Sequence, residues 1–164
     1  MFPKIIHQIW LQGKNNIPDK YKELYQSVKI KNPTWDHIIW DNSMIQEYFR
    51  NNANILKLYN NFPYLHQKVD FIRYCILYEF GGVYLDMDIT VIKPFNSLIN
   101  QYREYECILS TINIDKLDSY IMCFNDKCIN NGIIIAKKKS QFIKNVIDEI
   151  INHYECKWYD LTTS

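Results

Sequence analysis

The sequence lacks a surplus of charge of either sign. Nineteen Lys and Arg residues and eighteen Asp and Glu residues are interspersed along 164 residues, and the formal net charge is +1. Proteins that follow a nucleic-acid backbone or hold a basic tail on a membrane carry an excess of positive charge. The composition therefore argues against nucleic acid as a partner, and the single cationic run, residues 137 to 139, is interpreted as a solvated loop.

Long apolar runs and paired-cysteine motifs are also missing. No apolar segment is long enough to span a bilayer, and the N-terminal MFPKIIHQIW has neither the apolar length nor the cleavage site of a signal peptide. The five cysteines form no CxxC pair, so reduced thiols are a simpler interpretation than a zinc site. We therefore expect a protein that is cytoplasmic or peripheral to a membrane, without a transmembrane anchor.

The chain has the size of one domain, and 48% of its residues are hydrophobic. It shows no repeat or linker, and apolar segments of strand character alternate with segments of helical periodicity. We predict strands at residues 4–10, 35–40, 83–92, 107–110 and 132–137, and helices at residues 19–30, 42–50, 63–80 and 140–153, the second helix capped by Asn42 or Ser43. This alternation predicts a single α/β domain over residues 1–164, with a mainly parallel sheet.

One apolar run begins with a glycine pair and ends in two aspartates: EFGGVYLDMDITVIKPF, residues 79 to 95. On a strand, successive side chains point to opposite faces, so Asp86 and Asp88 are expected to share a face. Two neighbouring carboxylates repel each other, and Mg²⁺ or Mn²⁺ relieves that repulsion while binding substrate phosphates. Since α/β folds bind ligands at the carboxyl edge of a parallel sheet, the pattern indicates a metal and diphosphate site.

Two chemistries use a DxD pattern at the end of a strand. YLDMDIT fits the DxDxT pattern of haloacid-dehalogenase phosphohydrolases, with Asp86 as nucleophile, Asp88 as acid and base, and Thr90 as the third polar group. That family also carries a later acidic pair for Mg²⁺, and nothing after Thr90 fits such a pair. A phosphohydrolase is therefore the second hypothesis for function.

The surroundings of the two aspartates match a much longer signature. Residues 69 to 88, VDFIRYCILYEFGGVYLDMD, closely resemble the pattern DxxRxxxLxxxGGxYxDxD of the DXD-containing sugar transferases. That family includes fungal α-1,6-mannosyltransferases, capsular polysaccharide transferases and, more distantly, the glucosylating domains of clostridial toxins. The opening IIHQIW, the later IIWD and NNGIIIA at residues 130 to 136 extend the resemblance over nearly the whole chain.

The resemblance implies a GT-A type fold, a nucleotide-diphosphate sugar as donor, a glycan or protein hydroxyl as acceptor, and a divalent cation, Mn²⁺ or Mg²⁺. It implies that Asp88 binds the metal most directly and that Asp86 contacts both the metal shell and the donor. It places Asp70 and Arg73 at donor sugar hydroxyls or phosphate, where Arg73 would join the two motif aspartates in catalysis. The alternative for Asp70 and Arg73 is an ordinary surface ion pair between residues three apart on a helix.

Other residues have roles that the resemblance suggests and structural alternatives beside them. Trp10 would stack on the donor base, or it belongs to the core. Asn131, with Asn130, would meet donor or acceptor hydroxyls, or the Asn-Asn-Gly sequence forms a turn. We expect His7 to be a hydrogen-bonded core residue and Tyr84 to help set the strand that aims the carboxylates.

The resemblance also implies that the reaction retains the anomeric configuration of the sugar. No further carboxylate matches the family as a nucleophile, so the hypothesis is same-face attack through an oxocarbenium-like state, with the leaving phosphate helping to deprotonate the acceptor. The chain ends at WYDLTTS, before the TGP-type motif with which the family continues, so we expect a C-terminal segment to be absent. A third hypothesis is therefore a catalytically weak module that binds nucleotide sugars or glycans.

Overall fold

The computed structural model describes residues 1–113 and 127–154. The strands in these ranges are β1 (Ile5–Ile9), β2 (Asp36–Trp40), β3 (Gly82–Leu85), β4 (Cys107–Asn113) and β5 (Lys127–Ala136). The helices are α1 (Asp19–Lys31), α2 (Asn42–Tyr48), α3 (Ala53–Asn61), α4 (Leu65–Phe80), α5 (Phe95–Gln101) and α6 (Gln141–His153), with a short 3-10 helix at Lys14–Asn16. None of the helices in the described part of the chain has the length and apolar character needed to cross a membrane.

The strands form one five-stranded sheet in the order β2-β1-β3-β5-β4. Strand β1 pairs in parallel with β2 and with β3, whereas β5 is antiparallel to both of its neighbours, β3 and β4. Four of the five strands therefore run in one direction, and β5 alone is reversed. The predicted α/β class with a mainly parallel sheet is confirmed.

Helices cover both faces of the sheet because alternate strand residues point to opposite sides. On one face, Ile9 packs into a core that includes Ile72 and Ile76 of α4. On the other face, Ile6 joins a second core with Val28 of α1. The result is a three-layer arrangement in which α4 lies directly behind the strands that end at the candidate site.

The glycine pair between α4 and β3 is required by close backbone contacts. Gly81 and Gly82 have φ angles of 67° and 98°, a region that favours glycine. A Cβ on Gly82 would lie 2.3 Å from the carbonyl oxygen of Ile5, and one on Gly81 would lie 2.5 Å from the amide nitrogen of Lys138. Helix α4 ends at Phe80, directly before this pair, which confirms the predicted end of the helix.

Strand β3 is much shorter than predicted, and this changes the placement of the motif aspartates. The strand ends at Leu85, where its pairing with β5 stops, and Met87 and Asp88 form a turn. The Asp86 amide still donates to the Gly132 carbonyl (2.8 Å), but the next contact, from the Ile89 amide to the Asp86 carbonyl, closes the turn. The expectation that both aspartates share one face of a strand is therefore wrong.

The segment after this turn is fixed to α1 by two hydrogen bonds. The Val91 amide donates to the hydroxyl of Ser27 (3.1 Å), and the Phe95 amide donates to the side-chain oxygen of Asn32 (2.9 Å). Both acceptors lie in or directly after α1. The chain around Asp88 is therefore anchored downstream as well as upstream.

Three local predictions needed correction, and the first is the absence of α5 (Phe95–Gln101) from the predicted helices. Helix α3 was not predicted, although Asn52 caps it and Ile55, Leu58 and Tyr59 bury one helical face. The cap of α2 is Asp41, whose carboxylate accepts from the Met44 amide (2.9 Å), rather than Asn42 or Ser43. In α2 and α3 a side-chain oxygen just before the first turn satisfies a free amide.

Candidate functional site

Most of the predicted site residues converge at the carboxyl edge of β1 and β3. In the parallel pairing of these strands His7 lies opposite Tyr84, so the chain leaves both strands at the same edge, shortly before Trp10 and at Asp86. Helix α4 contributes Asp70 and Arg73 from behind the sheet, and Asn131 comes from the adjacent β5.

Arg73 is the centre of this cluster. Its side chain is only 5% exposed, and its guanidinium lies 2.7 Å from Asp70 Oδ1 and 3.5 Å from Asp86 Oδ1. It also donates to the backbone carbonyls of Asn131 (2.6 Å) and Val69 (3.3 Å). The predicted ion pair between residues three apart is present, but it is not an ordinary surface pair, because the cation is buried and also lies near Asp86.

Two side chains, Tyr84 and Arg73, hold the Asp86 carboxylate. The Tyr84 hydroxyl donates to Asp86 Oδ1 (2.6 Å), and the Arg73 guanidinium lies 4.5 Å above the centre of the Tyr84 ring. Burial raises the pKa of Tyr84 well above its ordinary value, so the hydroxyl keeps its proton and donates. The other oxygen, Oδ2, faces Gly132, where a Cβ would approach it to 2.8 Å. Glycine at this position leaves the carboxylate its space.

Two polar residues, Gln8 and His37, form a chain of hydrogen bonds that supports the Asp86 backbone. No role was predicted from the sequence for either residue. The amide of Gln8, which is fully buried in β1, donates to the Asp86 carbonyl (3.3 Å) and accepts from His37 Nε2 (2.8 Å). Burial lowers the pKa of His37 to about 4, and the charges of Lys29 and Lys14 act in the same direction. His37 is therefore neutral, and its Nδ1 has no hydrogen-bond partner among the described residues. The sequence signal for this pair was the presence of polar residues, Gln8 and His37, within largely apolar strands.

His7 is a core residue, as predicted. Its Nδ1 accepts from Trp40 Nε1 (3.1 Å) and its Nε2 donates to the Gly81 carbonyl (2.9 Å). Burial lowers its pKa to about 4, so the ring stays neutral. His7 thereby ties β1 to β2 and to the glycine that precedes β3.

Asn131 projects its amide toward the carboxylate that Arg73 binds. Its Nδ2 donates to Asp70 Oδ1 (3.1 Å). Asn130 and Asn131 both lie inside β5, at an irregularity in the pairing with β4, and Asn130 Oδ1 accepts from the Gly132 amide (2.7 Å). The Asn-Asn-Gly sequence therefore lies in an irregular strand, where the Asn130 side chain makes the local contact of an Asx turn, and this irregularity gives Asn131 its direction.

Trp10 and Asp88 form the exposed side of the site. Trp10 lies just beyond β1, is half-buried outside both cores, and packs against Tyr21 with ring centres 5.6 Å apart. Asp88 is exposed, and within the described ranges no group hydrogen-bonds its carboxylate. Both side chains are accessible to solvent at the sheet edge where β1 and β3 end.

The charges of the cluster suit a divalent cation. Asp70, Asp86 and Asp88 are three carboxylates set against the single guanidinium of Arg73. Carboxylate oxygens are the ligands that Mg²⁺ and Mn²⁺ prefer, and Asp86 Oδ2 accepts no hydrogen bond from the described residues. In the described part of the chain, no group of three or more Asp, Glu, His or Cys residues is arranged to hold a metal by itself. A divalent cation bound at this cluster would therefore complete its coordination with water and substrate phosphate.

Comparison with known proteins assigns the family. Residues 18–105, more than half of the chain, match the model described as the glycosyltransferase sugar-binding region containing DXD motif. The chain belongs to this family. The matched range includes Asp70, Arg73 and both motif aspartates of the DXD family, whereas Trp10 and Asn131 lie outside it. This membership favours the sugar-transferase interpretation of DxD over the phosphohydrolase one.

Relatives of this DXD-family chain are named glycosyltransferases. It is 40% identical over 101 residues to an uncharacterized glycosyltransferase of Acanthamoeba polyphaga mimivirus, covering 60% of the chain and 40% of that protein. It is 34% identical over 103 residues to inositol phosphoceramide mannosyltransferase 1 of Schizosaccharomyces pombe, covering 60% of the chain and 32% of the relative. The matched regions thus span less than half the length of these relatives.

A solved structure shares the fold. The PaToxG glycosyltransferase superposes with a TM-score of 0.72 over 96% of this chain and 63% of its own, at 17% sequence identity. At that identity the similarity establishes the architecture, which is the glycosyltransferase α/β fold expected from the sequence.

Proposed function

We propose that this chain transfers a sugar from a nucleotide-diphosphate sugar to a glycan or other hydroxyl acceptor with the help of Mn²⁺ or Mg²⁺. The observation that carries the proposal is the buried Arg73, which holds Asp70 and Asp86 beside the exposed Asp88. Relatives named as mannosyltransferases make mannose the first candidate for the transferred sugar.

The motif aspartates would hold the metal. Asp88 has a free carboxylate, and Asp86 has one oxygen engaged by Tyr84 and Arg73 and the other open. A bound cation would stabilise the negative charge that develops on the departing diphosphate. Because Asp86 is fixed before any ligand arrives, little reorganisation of this carboxylate is needed on binding.

The remaining residues would bind the donor. The Asp70 carboxylate accepts hydrogen bonds, and the Asn131 side-chain amide can both donate and accept. The two groups lie side by side, which suits the binding of sugar hydroxyls. Arg73 has its N–H groups directed at protein carboxylates and carbonyls, so we assign it the positioning of Asp70 and Asp86. The free surface of Trp10 would stack on the base.

We further propose that the anomeric configuration is retained through same-face attack. Asp70 and Asp86 are both bound by Arg73, and such ion pairs weaken a carboxylate as a nucleophile. The configuration of the product, read by NMR, tests retention. Trapping of a covalent glycosyl-enzyme intermediate would contradict the same-face route.

Thermal unfolding with a panel of UDP-sugars and GDP-sugars, with and without Mn²⁺, tests the proposal. We expect one nucleotide sugar to raise Tm only when the metal is present, and Asp88→Asn to abolish that rise. The absence of any nucleotide-sugar effect would contradict the proposal. Metal-dependent binding without release of the nucleoside diphosphate in the presence of acceptors would instead support a binding module.

A further inference from the structure

A cavity of about 750 Å³ lies beside the candidate site, between α4 and α6. Its walls are Phe62, Gln67, Asp70, Phe71, Tyr74, Asn131, Glu149, Ile150, His153 and Tyr154. Asp70 and Asn131, which hydrogen-bond each other, therefore belong both to the cavity and to the proposed donor site. A ligand in the cavity would therefore contact two residues that we also assign to the donor sugar.

The cavity combines flat aromatic walls with polar groups. Phe62 packs against Phe71 and edge-on against Tyr154, with ring centres 5.7 and 5.0 Å apart. On α6, His153 Nδ1 lies 3.0 Å from a Glu149 carboxylate oxygen, and both side chains are exposed. Aromatic faces suit the C–H face of a pyranose ring, and carboxylate and imidazole groups suit its hydroxyls.

Charge and size narrow the class of ligand. The carboxylates of Asp70 and Glu149 would repel a second diphosphate, and they offer hydrogen-bond acceptors that a purely apolar ligand would not use. Pockets for ligands of drug size have volumes of roughly 300–1,000 Å³, so this cavity has room for more than a single hexose. A neutral, polyhydroxylated ligand with an apolar face fits these conditions.

We propose that this cavity is the acceptor site and that it binds a glycoside, with sugar hydroxyls at Asp70 and Glu149 and the ring against Phe62 and Tyr74. The proposal rests on the proposed glycosyl transfer. The same chemistry belongs to a free oligosaccharide and to the head group of a glycolipid, and the length of the aglycone separates the two.

Titration of the protein with methyl and hexyl α-D-mannopyranosides and the matching glucopyranosides, followed by NMR, tests the site. We expect saturable binding that Ile150→Trp weakens at least tenfold, because the indole fills the cavity. Asn152→Trp is the matched control, since it adds the same side chain to an exposed position of α6 outside the cavity, and it should change affinity less than twofold. Stronger binding of the hexyl glycosides would indicate a glycolipid, and equal binding an oligosaccharide.

A second pair of variants removes charge without bulk. Glu149→Gln should weaken glycoside binding about threefold, while Asp148→Asn, which removes the charge paired with Lys144 outside the cavity, should leave it unchanged. Absence of glycoside binding, equal binding of hexanol, or equal effects within either pair would overturn the acceptor site. The rise in Tm caused by a nucleotide sugar is measured on the same samples. If that rise is present while glycoside binding is absent, the acceptor site is wrong but the proposed glycosyl transfer is not contradicted.

Discussion

The candidate site has a held half, formed by Asp70, Arg73, Tyr84 and Asp86, and an open half, formed by Trp10 and Asp88. In the held half a guanidinium with 5% exposure joins two carboxylates and lies over a buried phenol. In the open half both side chains present free surface at the same sheet edge. Tyr84 and Arg73 fix Asp86 in the folded chain, whereas no described residue hydrogen-bonds the Asp88 carboxylate. Catalytic sites commonly combine charged groups that the fold holds in place with side chains that remain available to bind substrate or metal.

Removing the cation should have the largest effect. Arg73→Ala leaves Asp70 and Asp86 close together without their shared partner, and we expect a loss of roughly 2–4 kcal/mol in the free energy of unfolding, since partial exposure moderates the usual cost of breaking a buried pair. Nucleotide-sugar binding should be lost as well. Arg50→Ala is the control, because it breaks an exposed Arg–Glu pair of the same spacing and should cost at most about 0.5 kcal/mol. If denaturant titrations show the same loss in the free energy of unfolding for both variants, Arg73 does not stabilise the held half as described.

Crowding Asp86 should weaken metal binding with less effect on folding. Gly132→Ala would place a Cβ 2.8 Å from Asp86 Oδ2 and 2.9 Å from Asn130 Oδ1, so the carboxylate must move. We expect Mn²⁺ affinity in the presence of a nucleotide sugar to fall roughly 10–100-fold, as for other changes next to metal ligands. Gly13→Ala strains a residue with φ of 90° but meets no atom closer than 3.9 Å, so its metal affinity should match the wild type. Calorimetric titration provides the comparison.

Acid should destabilise the buried side of the sheet edge. Burial lowers the pKa of His7 from 6.5 to about 4, so the unfolded chain takes up a proton first as the pH falls. The stability that neutral His7 contributes is complete above pH 6.5 and is lost between pH 6.5 and 4, with about 2 kcal/mol gone at pH 5. His37 acts in the same direction. Denaturant unfolding at pH 7.5 and pH 5 measures the loss, and His7→Gln should reduce it; an unchanged loss in that variant would exclude His7 as its source.

Deleting one hydroxyl should give the smallest effect. Tyr84→Phe removes the 2.6 Å hydrogen bond to Asp86 and should lower Mn²⁺ affinity about tenfold, with roughly 1 kcal/mol of stability lost. Tyr59→Phe is the control variant. It removes the hydrogen bond that another buried tyrosine hydroxyl donates to Asn42 (2.9 Å), and both residues are distant in sequence from the DxD turn. The control should lose similar stability and no metal affinity. A loss of metal affinity in both variants would mean that the effect is not local to Asp86.

The sequence predicted the elements that local rules govern. The alternation of strands and helices, the glycine pair and the helical spacing of Asp70 and Arg73 follow from side-chain periodicity and backbone sterics. The convergence of Asp70, Arg73, Asp86 and Asn131 came from the motif resemblance together with the expected parallel sheet. These are features that each segment specifies largely by itself.

The parts that escaped prediction depend on distant partners. The end of β3 is set by its pairing with β5, nearly fifty residues later, so the sequence around Asp86 could not show that the strand stops there. The support from Gln8 joins residues separated by 78 positions, and its bond to His37 spans 29. A polar residue in an apolar strand signals that a partner exists, but not which one.

Binding of Mn²⁺ to the wild type and to Asp88→Asn, measured by the EPR signal of the free ion with a nucleoside diphosphate present, tests the central claim most directly. Asp88 is exposed and without hydrogen bonds among the described residues, so its replacement should leave Tm unchanged within about 2 °C, as expected for a surface substitution. We predict at least a tenfold loss of Mn²⁺ affinity at unchanged stability. Wild-type affinity in Asp88→Asn would contradict a metal site at the DxD motif and, with it, the proposed mode of sugar transfer.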